Sequence, residues 1–98
     1  SNIDAIKEAI QLALNGNVEQ AISLLETELN KSENSERIAE MSLTLGSIQY
    51  NYGEYNSALE NFERVVNQSS IDNETLEKGY WYLGNAYFQL DRLQEWWI

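Results

Sequence analysis

The chain has no cysteine, no histidine and no proline, and what it lacks removes whole classes of chemistry. Without cysteine there are no disulfides, thiol nucleophiles or thiolate metal sites. Without histidine there is no imidazole general base and none of the commonest metal ligand. No nucleophile and base pair or metal set can be assembled from what is left, so the sequence predicts no enzyme, no metal and no cofactor. Basic residues are scarce as well: six Lys and Arg face sixteen Asp and Glu, for a formal net charge of −10. That balance opposes the attraction to phosphate on which nucleic-acid binders and anionic membrane surfaces depend. No apolar run approaches the roughly 20 residues of a spanning helix, so no membrane insertion is predicted and a soluble chain is expected. The sequence opens on Ser1 rather than methionine, so its start reads as set by processing or by the choice of segment, and the compartment stays open with the cytoplasm slightly favoured.

What is present is enough apolar material for one small domain: 98 residues, 43% of them hydrophobic and 11% aromatic. The few glycines are placed with a period. Gly16 and Gly53 stand 37 residues apart, Gly46 and Gly84 stand 38 apart, and the text around each pair aligns. Gly16-Asn17-Val18-Glu19-Gln20-Ala21-Ile22 lies over Gly53-Glu54-Tyr55-Asn56-Ser57-Ala58-Leu59, and Asp91-Arg92-Leu93-Gln94-Glu95-Trp96-Trp97 falls in the same register. Self-similarity at this interval is the mark of a repeat architecture. The chain therefore reads as one domain over 1–98, made of a unit at about 2–34, a second at about 35–70 and a partial third at about 71–98.

Within each unit the apolar spacing is helical. Ile3, Ile6, Ile10, Ala13 and Leu14 follow a 3.6-residue period that ends at Asn15-Gly16-Asn17, residues that tolerate a left-handed backbone at a helix end. The spacing predicts helices over Ile3–Asn15, Val18–Leu29, Glu36–Tyr52, Tyr55–Asn67 and Glu74–Leu90, with the opening of a sixth over Arg92–Ile98. Helices joined by turns of two or three residues must double back, so the predicted fold is all-α, a stack of antiparallel helical hairpins. A core of Leu24, Leu25, Leu45, Leu59, Phe62, Val66, Leu83 and Tyr87 is expected between them.

These residues resemble the tetratricopeptide repeat, whose signature sets W-x2-L-G-x2-Y on a first helix and A-x3-F on a second. The third unit carries Tyr80-x2-Leu83-Gly84-x2-Tyr87; the second carries Leu45-Gly46, then Gly53, Tyr55 and Ala58-x3-Phe62. The first is looser, with Ala9 at the glycine site, then Gly16, Val18 and Ala21-x3-Leu25. Four features depart from the family. The interval exceeds the usual length of about 34 residues and the closing proline is missing. Glu8 stands where leucine is normally buried, as on a solvent-facing end, and Trp96 occupies the small-residue site held by Ala21 and Ala58.

The resemblance implies an α-solenoid of about two and a half repeats whose first helices line a concave surface. That face offers Ile3, Ile6, Ile10 and Ala13, then Glu40, Leu43, Ser47 and Tyr50, then Lys78, Trp81, Asn85 and Phe88. It is apolar, which suits an interaction surface anchored by tyrosine and tryptophan. The alternative is that in so short a stack these side chains partly cover one another or serve as core. The basic clamp with which some family members hold acidic tails is missing: Ile6, Ile10, Thr44, Ser47, Lys78 and Tyr82 stand at its positions. An adaptor for an apolar or mildly basic peptide or partner helix is thus expected, with Ile6, Ile10, Leu43, Ser47, Tyr50, Lys78, Trp81, Asn85 and Phe88 as the binding residues. A different class of reading makes the chain a structural module that self-associates through its C-terminal end. There Trp96, Trp97 and Ile98 either dock on a second protomer, giving a homodimer, or fold back over the open end. Carboxylate pairs one turn apart, Asp4 with Glu8 and Glu36 with Glu40, read as a solvated acidic face.

Overall fold

The computed structural model describes residues 2–91, with side chains from residue 5 onward. Among these residues the chain is entirely helical. The helices are α1 (Asn2–Leu14), α2 (Val18–Lys31), α3 (Ser35–Asn51), α4 (Tyr55–Val66) and α5 (Asn73–Gln89). Each begins and ends within about two residues of its expected bounds, because glycine and asparagine mark the ends and apolar periodicity marks the bodies. The sixth helix, expected over Arg92–Ile98, lies outside the described residues.

Three helix ends share one backbone device. Gly16 and Gly53 adopt left-handed φ of 87° and 88°, and Asp91 follows at 56°. Gly16 N–H donates to Ala13 O and Gly53 N–H to Tyr50 O, each at 3.1 Å, and Asp91 N–H donates to Phe88 O at the same distance. The next amide in the first two cases reaches back five residues, Asn17 to Leu12 at 2.7 Å and Glu54 to Gln49 at 2.8 Å. This is the Schellman arrangement, which satisfies the last carbonyls of a helix and turns the chain sharply. The helices that follow the longer joints start alike as well. Asn34 Oδ1 accepts from Arg37 N–H at 3.0 Å to open α3, and Asp72 Oδ1 accepts from Thr75 N–H at 2.8 Å to open α5. Each such cap contributes about 1 kcal/mol.

Packing follows the order of the chain. α1 lies on α2, α2 on α3, α3 on α4 and α4 on α5, while α3 also touches both α1 and α5. The core forms two clusters on either side of α3. One joins Ala9, Ala21, Leu25, Met41 and Leu45; the other joins Ala58, Leu59, Phe62, Leu83 and Ala86. Of the expected core, Leu25, Leu45, Leu59, Phe62 and Leu83 are buried, whereas Leu24, Val66 and Tyr87 are half-buried along its margins. Met41, Ala39 and Val65 are fully buried and complete it.

Two glycines set the closest helix approaches. A Cβ on Gly46 would stand 2.6 Å from Cε1 of Phe62, so α3 meets the Phe62 ring of α4 where no side chain intervenes. A Cβ on Gly79 would stand 2.7 Å from Cγ1 of Val65, which lets α5 close on α4. In the first unit the same geometry is filled differently. Ala9 replaces the glycine, Leu25 replaces the phenylalanine, and both are fully buried.

Candidate functional site

An apolar concavity lies over α1, α3 and α5. It has a volume of about 550 Å³ and is walled by Ile10, Ala13 and Leu14 of α1 and by Lys78, Trp81 and Tyr82 of α5, with α3 as its floor. The floor is Leu43, Thr44, Ser47, Ile48 and Asn51. Helical period puts these floor residues on one face of α3. Several apolar groups around it face solvent. Trp81 is 64% exposed, Leu14 75% and Ile10 41%, against the near-complete burial of the core leucines. A smaller recess, lined by Leu14, Val18 and Tyr52 among others, adjoins the groove at the turn between α1 and α2.

The nine expected binding residues divide. Ile10, Leu43, Ser47, Lys78 and Trp81 come together in the groove. Ile6 does not line it but packs half-buried on the first core cluster. Tyr50 turns inward: its ring meets Tyr55 edge-on at 5.3 Å and Tyr82 at 6.3 Å, and its hydroxyl accepts from Gln89 Nε2 at 3.3 Å. Phe88 is 63% exposed and lies outside the groove lining, further along α5. Asn85 is also outside it, with its Nδ2 donating to the Trp81 carbonyl at 2.7 Å. Two of the hydroxyls in the groove are engaged by their own helix, Ser47 Oγ with Leu43 O at 2.8 Å and Thr44 Oγ1 with Glu40 O at 2.9 Å. The groove is therefore poorer in free polar groups than its composition suggests. Trp96, Trp97 and Ile98, expected at a self-association surface, lie outside the described residues.

Leu14, Ile48 and Asn51 were not expected in the groove. Leu14 carried a signal, since it is a leucine at the last position of a helix with no residue beyond it to cover it. Ile48 and Asn51 gave none, because their inclusion depends on how closely α1 approaches α3.

At the end of the groove formed by the starts of α3 and α5, carboxylates gather. The Glu36 carboxyl lies against Asp72, and its pKa is raised by partial desolvation, by the Asp72 charge and, more weakly, by Glu40. The Asp72 carboxylate is held below its ordinary range, chiefly by the N–H of Thr75 that it caps, with Lys78 a lesser contributor. Lys78 Nζ stands 3.9 Å from Glu74 Oε1, with both side chains largely exposed. No set of three or more such side chains among the described residues is arranged to hold a metal ion.

The opposite face of α3 borders a second, polar cleft of about 330 Å³, between Glu26 and Asn30 of α2 and Glu60 and Arg64 of α4. Its floor is a relay of hydrogen bonds. Arg64 Nη1 donates to Asn61 Oδ1 at 2.9 Å, and Asn61 Nδ2 donates to Gln49 Oε1 at 2.7 Å. Gln49 and Asn61 are almost fully buried. A buried amide pair of this kind is a satisfied packing element. The sequence signal for it is a glutamine at the position that holds Tyr87 in the third unit.

No helix among the described residues is long and apolar enough to cross a membrane. No protein-family model, curated protein or solved structure matches this chain.

Proposed function

We propose that the chain is a short helical-repeat module of the tetratricopeptide type that binds a peptide or a partner helix in the groove over α1, α3 and α5. It acts as an adaptor and carries out no chemistry. Three features support the stacked-hairpin reading. The same left-handed turn recurs at Gly16, Gly53 and Asp91; the same side-chain cap recurs at Asn34 and Asp72; and α3 touches both α1 and α5. The observation that carries the functional reading is the groove itself. Its size falls within the range of about 300–1,000 Å³ typical of ligand sites, and its wall presents a tryptophan with most of its surface in water. Exposed tryptophan beside aliphatic walls is the composition of a binding hot spot.

The test is selection from a random peptide library displayed on phage, run in parallel on the wild-type chain and on Trp81→Ala. Trp81 is exposed, so its loss leaves the fold intact by circular dichroism. Enrichment of peptides sharing an apolar anchor on the wild type, and its loss on Trp81→Ala, is the expected result. Equal enrichment on both proteins, or none on either, refutes the groove.

A further inference from the structure

We infer that the groove takes a cationic amphipathic polypeptide segment, whose apolar side chains fill the space beside Trp81 and whose Lys or Arg residues lie at the acidic mouth formed by Glu36, Glu40 and Asp72. This rests on the binding reading above and adds the chemistry of the occupant.

The groove body selects apolar groups and little else. Ser47 and Thr44 spend their hydroxyl protons on their own helix, so an acceptor group entering beside them loses its water without a donor from either. Such a loss costs about 1–3 kcal/mol per group. Aliphatic or aromatic anchors gain instead about 25 cal/mol for each Å² removed from water.

Charge decides what flanks those anchors. The three helices that build the groove, together with the cap of α5, carry seven acidic residues against three basic ones. The acids concentrate at one end. Glu40 lies one turn before Leu43 and Thr44 on the floor helix, Glu36 one turn earlier, and Asp72 faces Glu36 from the start of α5. The pKa of Glu36 is raised first by partial desolvation and then by the neighbouring Asp72 and Glu40 charges, in keeping with that placement. Among the described residues Lys78 is the one cation in the groove lining, and it is shared with Glu74 and Asp72. The starts of α3 and α5 each add about half a positive charge, which softens the mouth without reversing it. An ammonium or guanidinium from a ligand supplies the missing counter-charge.

The same arithmetic argues against the other occupants. A second copy of the chain brings its own −10, and an acidic tail meets carboxylates where it needs cations. Among the described residues no three carboxylates are grouped to hold a metal ion.

The experiment uses a fluorescein-labelled synthetic helix with a leucine stripe at i, i+3, i+4 and i+7 and lysines on its flanks. Two relatives accompany it, one with every lysine replaced by glutamate and one with serine in their place. Anisotropy titrations are run on the wild type, Trp81→Ala, Glu36→Gln with Glu40→Gln, and Glu26→Gln with Glu60→Gln. The last pair removes as much charge from the polar cleft on the other face of α3, so it separates a local mouth from general attraction to an acidic protein. The expected result is binding of the lysine peptide that weakens about fivefold in the Glu36 and Glu40 variant, is unchanged in the Glu26 and Glu60 variant, and falls with added salt. The glutamate peptide should not bind. Equal losses in the two double variants, or equal binding of all three peptides, overturn the charge assignment and leave the groove standing. Binding of the serine peptide alone, lost in Trp81→Ala, does the same. Lysine-peptide binding undiminished by Trp81→Ala overturns the groove and the inference together. A concentration-dependent dimer abolished by Trp81→Ala in light scattering assigns the groove to a second copy instead.

Discussion

Replacing Gly46 with alanine adds a single methyl group where α3 meets the Phe62 ring of α4. Its new Cβ would stand 2.6 Å from Cε1, 2.9 Å from Cδ1 and 3.1 Å from Cζ of Phe62. Two of those separations lie far inside carbon–carbon contact at about 3.5–4.0 Å. The ring has nowhere to retreat. Phe62 is fully buried, and its ring is stacked on Tyr82 with centroids 4.9 Å apart and planes 20° from parallel. Overpacking of this kind costs about 1–3 kcal/mol, while alanine in place of glycine within a helix returns about 1 kcal/mol. With two contacts this short the steric loss falls at the upper end, so Gly46→Ala should destabilise by about 1–2 kcal/mol. For a domain of this size that lowers Tm by roughly 4–16 °C. The first unit supplies the matching rescue, because Ala9 and Leu25 occupy the equivalent places and are both fully buried. Phe62→Leu alone should also destabilise, by about 1–2 kcal/mol from lost ring volume. In the double variant the two losses should fall short of their sum by at least about 1 kcal/mol, since the smaller side chain makes room for the methyl. Urea denaturation followed by helical circular dichroism at 25 °C measures all four corners of this cycle. A Gly46→Ala protein as stable as the wild type, or strict additivity in the double variant, refutes the packing argument.

Ser42 is fully buried and its Oγ has no hydrogen-bond partner among the described residues, so Ser42→Ala should raise stability by about 1 kcal/mol. The same urea titration checks it, and a loss of stability would show that the hydroxyl is satisfied. Glu36 and Asp72 respond oppositely to pH. Glu36 has a folded pKa above its unfolded value of about 4.3, so its ionised form opposes folding at neutral pH, and that opposition is relieved as pH falls through the folded pKa. Asp72 has a folded pKa below its unfolded value of about 3.9, so it stabilises above that value and its contribution disappears as pH falls further. Glu36→Gln should therefore melt higher than the wild type at pH 7 and low salt, with the gap closing towards pH 4. A gap that is constant with pH would show that the carboxyl pair does not act.

The helices were legible because their ends carry chemistry that the sequence spells out. Gly16 and Gly53 can take the left-handed turn without a Cβ clash, so the turns within the hairpins followed from residue type, while the caps at Asn34 and Asp72 fix helix starts that apolar spacing alone had placed. The core was legible wherever one apolar residue faced one neighbour. It blurred at Val65 and Val66, where Val66 was expected inside and Val65 is the one fully buried. The reason is Gly79: it brings α5 so near to α4 that both valines touch the approach, at 2.7 and 3.1 Å from the place of its missing Cβ. The polar interior was not legible at all. Nothing in the spacing of Gln49 and Asn61 says that the two amides will find each other across twelve residues, since helical period gives the direction of a Cβ and not the reach of the side chain. Tyr50 fails as a groove residue for the same reason. It starts on the floor helix at the expected position, and its long ring leans into the gap between Tyr55 and Tyr82.

That lean links the core to the groove. Tyr55, Tyr50, Tyr82 and Phe62 form a continuous series of ring contacts running from α4 across α3 to α5 and back to α4. Trp81 is the next residue along α5 and meets Tyr82 edge-on, with centroids 5.0 Å apart. Because Tyr82 is held on both sides, the backbone that presents Trp81 is held too, and the exposed indole stands on a fixed base. Preorganisation of this kind lowers the ordering cost of binding. It also separates two ways of weakening the groove. Removing the indole takes away contact area and leaves stability nearly untouched, whereas shrinking Phe62 loosens Tyr82 and reaches the groove from within the core. Gly46 belongs to the second route, since the methyl it lacks is what allows Phe62 to lie flat against Tyr82. The small-residue position that makes the hairpin close is thus also the position that sets the wall of the groove.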